Sequence, residues 1–165
     1  SLRSDLEASA EKVVHQYLHE RADDLTRIEY TEKPIEISLE DGVAVVGRVD
    51  LVRRTDTDET SIVDFKSSER AQAEEVTEFQ LHVYVLGHQA LTGTTADFVE
   101  IYELDENKPI TRSVDEDLIE EVRARVGDAA GSLRSNDLPV NPSKSRCGAC
   151  DYQGICTAGC AVVQA

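Results

Sequence analysis

Apolar positions along this 165-residue chain recur with two different periods, and the switches between them give an order of elements. From residue 2 to 25, Leu2, Leu6, Ala10, Val13, Val14, Tyr17 and Leu18 fall at helical spacing, with charged residues filling the other face. From Arg27 to Leu39 the pattern alternates through Ile28, Tyr30, Ile35, Ile37 and Leu39, and Pro34 makes this a bent strand or an edge strand. Asp41-Gly42 is a hairpin signal. Two β-branched runs follow, Val43 to Val52 and Ser61 to Phe65, joined by TDTDET, whose short polar residues suit a turn. Three antiparallel strands in a meander are the expectation.

After a polar link, SSERAQAEE, a second helix is predicted over about residues 72 to 91 from Val76, Phe79, Val83, Leu86 and Leu91, with Gly93 ending it. Asp97 to Leu104 and Ile110 to Val114 give two more strands around DENKP. A third helix covers about residues 115 to 133, opened by acids that suit its N-terminal dipole. Pro139 and Pro142 then break regular structure.

The central hairpin gathers the first candidate chemistry. Closed symmetrically about Thr57, it pairs Val52 with Ile62 and Asp50 with Asp64. Alternation places Ala44, Val46, Arg48, Asp50 and Val52 on one face, with Ile62, Asp64 and Lys66 on the same face of the partner strand. Opposed β-carbons in such a pair lie about 4.5 to 5.5 Å apart, a spacing at which like charges destabilise unless something neutralises them. A hard divalent cation such as magnesium or manganese takes carboxylate oxygens and acidifies a bound water. Lys66 could then orient that water or offset charge on a phosphate.

An Asp-x-Lys triplet says little in a chain with 33 acidic residues. Position says more: Asp64 sits between Val63 and Phe65 in a strand that ought to be core, where an unpaired carboxylate is costly. His15 and His19 lie one turn apart in the first helix; such a pair can bind metal, and solvent-facing histidines are the commoner case. Gln80 and Tyr84 are spaced i and i+4 on the second helix, where a surface hydrogen bond is the plain alternative. Gly47 suits a bulge or a close backbone approach.

Length and a 40% hydrophobic content allow one domain with a real core. No run is long enough to span a membrane and no signal peptide is visible, so a cytoplasmic protein is expected. The chain starts at Ser1 and holds no methionine, which predicts a piece of a longer protein or a processed chain. A net charge of −16 argues superficially against a polyanionic partner. Yet only five of the seventeen basic residues are lysine and the acids are dispersed, the composition expected of a halophilic protein whose charges are screened by salt.

All four cysteines lie in CGACDYQGICTAGC, as Cys147, Cys150, Cys156 and Cys160. Thiolates at C-x2-C-x5-C-x3-C spacing suit zinc or an iron–sulfur cluster, with a disulfide as the alternative. Either centre would be structural, pinning a tail that lacks a core. The expected organisation is a core over residues 1–140 and a cysteine-rich metal-binding segment over 141–165.

Together these residues resemble the RecB-type branch of the PD-(D/E)xK nuclease superfamily over most of the chain. The motifs run in order: KVVHQYL with His15, GRVD with Asp50, VDFK with Asp64 and Lys66, and QLHVY with Gln80 and Tyr84. The cysteine segment is similar to that of AddB-type and CRISPR-associated RecB-like iron–sulfur exonucleases. The resemblance implies an α/β, restriction-endonuclease-like mixed sheet flanked by helices, and metal-dependent hydrolysis of DNA phosphodiesters. It implies that His15, Asp50, Asp64 and the carbonyl of Phe65 ligate magnesium or manganese. Lys66 would activate or position water, while Gln80 and Tyr84 would support the site or touch DNA. It implies a [4Fe-4S] cluster on Cys147, Cys150, Cys156 and a fourth ligand. In those relatives that ligand usually lies upstream of the first helix, where this chain has no cysteine, so it is missing from this piece or is replaced by Cys160. The latter keeps zinc open. Fusion to a helicase in DNA repair or recombination is a further expectation.

The leading expectation is therefore a metal-dependent DNA nuclease, an exonuclease on single-stranded ends. A non-catalytic module that binds DNA ends is one alternative. A structural domain whose metal centre holds a protein interface is the other.

Overall fold

A computed structural model of the chain describes residues 2–39, 42–67 and 74–164, with side chains except at 2, 74–77, 160 and 162–164. Asp41 of the predicted turn, most of the SSERAQAEE link and the side chain of Cys160 lie outside this description. The elements are α1 (Leu2–Glu20), α2 (Ala22–Leu25), β1 (Ile28–Ser38), β2 (Ala44–Arg54), β3 (Thr60–Lys66), α3 (Glu74–Thr92), β4 (Phe98–Glu103), β5 (Lys108–Ser113), α4 (Glu116–Ser135), α5 (Lys144–Gly148) and α6 (Thr157–Gln164). Among the described residues, no helix is long and apolar enough to cross a membrane.

The chain falls into two compact units, Ser1–Gly127 and Asp128–Ala165. The first holds a five-stranded sheet in the order β1-β2-β3-β4-β5. All neighbours are antiparallel except β3 and β4, which run parallel and are joined through α3. This is the mixed sheet with flanking helices of a restriction-endonuclease-like α/β fold. Pro34 and Pro109 sit on the two edge strands, where a missing N–H costs no ladder bond.

One sheet face carries α3. There Ile35, Val49, Val52, Ile62 and Val99 pack with Leu81, Tyr84 and Val85 of the helix. The helix approaches closely because of a glycine: a Cβ on Gly87 would lie 2.2 Å from Cδ1 of Ile35. The other face buries Leu51, Val63 and Tyr102 against Tyr17 and Phe65. Tyr17 anchors α1 there, edge-on to Phe65 at 5.3 Å and to Tyr102 at 4.9 Å between ring centroids. Leu6, Val14 and Leu18 of the predicted apolar stripe stay exposed.

The hairpin register is the symmetric one, with Val52 opposite Ile62 and Leu51 opposite Val63. The simple alternation along β2 does not hold, however. Gly47 and Val49 face α3, as does Val52, whereas Leu51 faces the other way and Val46 is 72% exposed. The inward side thus passes from odd to even positions around Asp50. At that level the β1–β2 ladder skips the rung between Glu32 and Asp50, and Glu32 has a left-handed backbone with φ of 50°. The register is the same on both sides of this gap, and the shift between the two strands lies at Ile28 and Tyr30.

α4 opens as its acids suggest, with the Asp115 carboxylate accepting from the N–H of Leu118 at 2.8 Å. Gly93, at φ of +79°, closes α3.

Candidate active site

Asp64 lies on β3, on the face turned to α3, and is 2% exposed. Its burial follows from the sequence around it: Ile62 and Val63 are fully enclosed, and β3 is the central strand of the sheet. Nζ of Lys66 stands 2.8 Å from its Oδ2. Among the described residues that ammonium is the partner this buried oxygen has. Burial pushes the Asp64 carboxyl above its ordinary range; Lys66 opposes the rise, and the neighbouring Asp50 adds to it.

Asp50 reaches the same place from β2. The β2–β3 ladder ends at Leu51 and Val63, and beyond it the N–H of Phe65 donates to Oδ2 of Asp50 at 2.9 Å. A side-chain carboxylate here replaces the backbone acceptor of a departing strand. The backbone pairing of the two strands thus stops at the level of the two aspartates.

Lys66 is held from the other side by α3. Its Nζ donates to Oε1 of Gln80 at 3.1 Å, and the Gln80 amide donates to the Tyr84 hydroxyl. Tyr84 is 7% exposed, so the Gln80–Tyr84 pair is not a surface hydrogen bond. Burial raises the Tyr84 hydroxyl above its ordinary range, with Asp64 and Asp50 contributing in the same direction. Five of the sequence-derived residues, Asp50, Asp64, Lys66, Gln80 and Tyr84, therefore share one electrostatic neighbourhood. Gly47 also belongs to it: a Cβ there would lie 3.3 Å from Cε1 of Tyr84, the close approach expected of this position.

His15 does not join this group. It is exposed on α1, beside a shallow surface formed with Lys12 and His19. Among the described residues, no three histidine, cysteine or acidic side chains come together as a metal site. The donor set still fits a hard cation that keeps most of its waters: two neighbouring carboxylates, one of them buried.

In the second unit, Cys147, Cys150 and Cys156 are free thiols. A Cβ on Gly159 would lie 3.6 Å from both the Cys147 and Cys156 sulfurs, so these two face the same glycine. The Gly159 N–H donates to the Cys156 sulfur at 3.4 Å. Among the described residues, these three cysteines do not come together as a metal site.

Sequence reasoning missed a second polar cluster on the α1 side of the sheet, where Arg53 spans Asp24 at 3.1 Å and Glu100 at 3.0 Å. Part of the signal was present, because Glu100 interrupts the apolar run of β4 as Asp64 interrupts that of β3.

With this geometry in place, the comparisons with known proteins agree. Residues 1–157 match the model of the PD-(D/E)XK nuclease superfamily, and the chain belongs to that superfamily. No curated protein sequence matches it. Among solved structures it is similar to the protein SSO0001, with a TM-score of 0.51 and 17% identity over 90% of this chain and 69% of that one. It is also similar to a candidate exonuclease from Eubacterium rectale, with a TM-score of 0.54 and 14% identity over 87% of this chain. The chain spans 58% of the length of that second protein. At such identities the likeness is one of fold.

Proposed function

We propose that this chain is a magnesium- or manganese-dependent deoxyribonuclease that hydrolyses DNA phosphodiesters, acting as an exonuclease on single-stranded ends. One observation carries the reading: a buried Asp64 carboxylate paired with the Lys66 ammonium at 2.8 Å, with the Asp50 carboxylate beside it. A structural role explains the pair of carboxylates poorly, because burial penalises the charge on Asp64 and the neighbouring Asp50 adds to the penalty.

Asp50 and Asp64 would hold the cation, with the Phe65 carbonyl at the same strand end and waters in the remaining positions. When bound, it supplies charge neutralisation at the scissile phosphate and acidifies the attacking water. Asp50 is kept in place by the Phe65 N–H, and Asp64 by the enclosed strand it sits on. Lys66 lies on the solvent side of Asp64, 20% exposed, where its ammonium can orient water and offset charge building on the phosphate. Gln80 and Tyr84 fix the lysine's direction. His15 remains a proposed ligand from the family resemblance alone.

For the second unit we propose a [4Fe-4S] cluster on Cys147, Cys150, Cys156 and Cys160, with zinc as the alternative. Brown protein with broad visible absorbance supports the cluster, and colourless protein with one equivalent of zinc refutes it. Work in DNA repair or recombination, alongside a helicase, completes the proposal.

The test is cleavage of end-labelled single-stranded, double-stranded and circular DNA in high salt with added magnesium or manganese. Loss of cleavage in Lys66→Ala is expected. Equal activity in both proteins would remove Lys66 from the mechanism, and binding without cleavage under either metal would favour an end-binding module.

A further inference from the structure

Of the five tyrosines and three phenylalanines in the chain, Tyr152 is the one that stands exposed, at 70%; the others are buried or half-buried. It lies in the second unit, between Cys150 and Cys156, and Ile155 beside it in the same turn is 82% exposed. The backbone that presents the ring is tied down. The Tyr152 carbonyl accepts from the N–H of Ile155 at 3.1 Å and from that of Cys156 at 3.0 Å, and the preceding turns bond Cys150 to Cys147 and Gln153 to Cys150. Among the described residues the ring has no aromatic or cationic partner. A tyrosine held out in this way offers a large flat contact at little entropic cost, since only two side-chain torsions remain to be fixed.

Charge selects what the ring meets. Over residues 138–165 the charged side chains are Lys144, Arg146 and Asp151, a balance of +1 in a chain whose net charge is −16. All but one of the 33 acids therefore lie earlier. Lys144 and Arg146 are exposed on α5, just ahead of the turns that carry Tyr152, and among the described residues neither is paired with an acid. A polyanion repelled by the remainder of the chain is tolerated here. An apolar protein surface would use the ring and gain nothing from the two free cations. Single-stranded nucleic acid uses both, because bases stack on aromatic rings while cations meet the phosphates. In a duplex the base faces are already covered by one another.

We propose that Tyr152 stacks on an unpaired base of single-stranded DNA while Lys144 and Arg146 meet nearby phosphates. This rests on the reading of the chain as a DNA nuclease, and it names the residues with which the second unit takes the strand.

The experiment is fluorescence anisotropy of a labelled oligothymidylate titrated with the full chain, without magnesium or manganese so that no strand is cut. Saturable binding is expected for wild type and for Tyr152→Phe, which keeps the ring. Tyr152→Ala should bind at least about fivefold more weakly, the loss of one stacked base. A strand of the same length with a base-free sugar–phosphate backbone should bind wild type and Tyr152→Ala equally, which separates a lost ring from a disturbed fold. Lys144→Ala and Arg146→Ala should each weaken binding and reduce the slope of log K against log salt by about 0.7. Equal affinity of Tyr152→Ala and wild type for oligothymidylate, an equal loss on the base-free strand, an unchanged salt slope in both cation variants, or tighter binding of duplex than of single strand would overturn the proposal. Tyr152-dependent binding without cleavage under either metal would remove the nuclease reading and leave this contact standing; cleavage with Tyr152-independent binding would do the opposite.

Discussion

The N–H of Phe65 donates to the Asp50 carboxylate at 2.9 Å, so a side chain of β2 completes the ladder where its backbone has turned away. Asp50 thus has two tasks, as strand-end acceptor and as charge. They can be separated. Asp50→Asn keeps an acceptor oxygen and should unfold close to wild type, whereas Asp50→Ala strands the Phe65 N–H and should cost about 1–3 kcal/mol. Both should lower cleavage by more than the ten- to hundredfold typical of losing a group outside the ligand shell. Denaturant unfolding beside DNA cleavage reads the difference; equal stability of the two variants would show that the bond does not support the strand.

The Lys66–Gln80–Tyr84 series makes a second prediction. Gln80→Leu and Tyr84→Phe should each reduce cleavage by about ten- to hundredfold, as expected of groups that aim another. Because they act through one lysine, the double variant should lose far less than the two losses combined. Fully additive losses in a double-mutant cycle would mean that Gln80 and Tyr84 work separately, for example on DNA.

Asp64 ties stability to pH. Its carboxyl is raised by burial, against the pull of Lys66, so the folded chain holds this proton more tightly than the unfolded chain does. The stability it contributes is complete below the ordinary carboxylate range and is lost as pH rises through the elevated value. Metal-free wild-type protein should therefore lose Tm relative to Asp64→Asn as pH climbs from about 4, the ordinary value, toward neutrality. Magnesium favours the ionised form and should reverse this, by about 2.7 kcal/mol at a hundredfold excess over Kd. Parallel Tm–pH curves for the two proteins, with and without magnesium, would disprove the link.

How far the sequence foretold this arrangement depends on which force set each part. The order of strands and helices was legible because two periods of burial alternate cleanly, and the hairpin register because TDTDET leaves few ways to close. Asp64 stood out as a charge inside an enclosed strand. The facing of β2 was not legible: it changes around Asp50, where no glycine marks the break. Nor was the separation of His15 from the aspartates, since a helical period says which residues share a stripe and not which sheet face receives it. Tyr17, two positions on, is what fixes α1 to the face away from Asp64.

Gly47 joins the packing to the chemistry. Its missing side chain leaves room for Tyr84, and a Cβ would stand 3.3 Å from Cε1 of that ring and 3.5 Å from Cγ1 of Ile35. Gly47→Ala should displace the ring by a few tenths of an ångström, and with it the amide that holds Lys66. The expected result is a stability loss of about 1 kcal/mol, at the low end for an added methyl in a packed core, with a roughly tenfold fall in cleavage. Gly87→Ala is the control, because the three atoms nearest its Cβ would all belong to Ile35, the first at 2.2 Å, and a clash that close should cost more stability, up to about 3 kcal/mol. Per folded molecule, Gly87→Ala should cleave faster than Gly47→Ala. The reverse order, measured by single-turnover cleavage with the folded fraction determined in parallel, would show that the position of the Tyr84 ring does not govern Lys66.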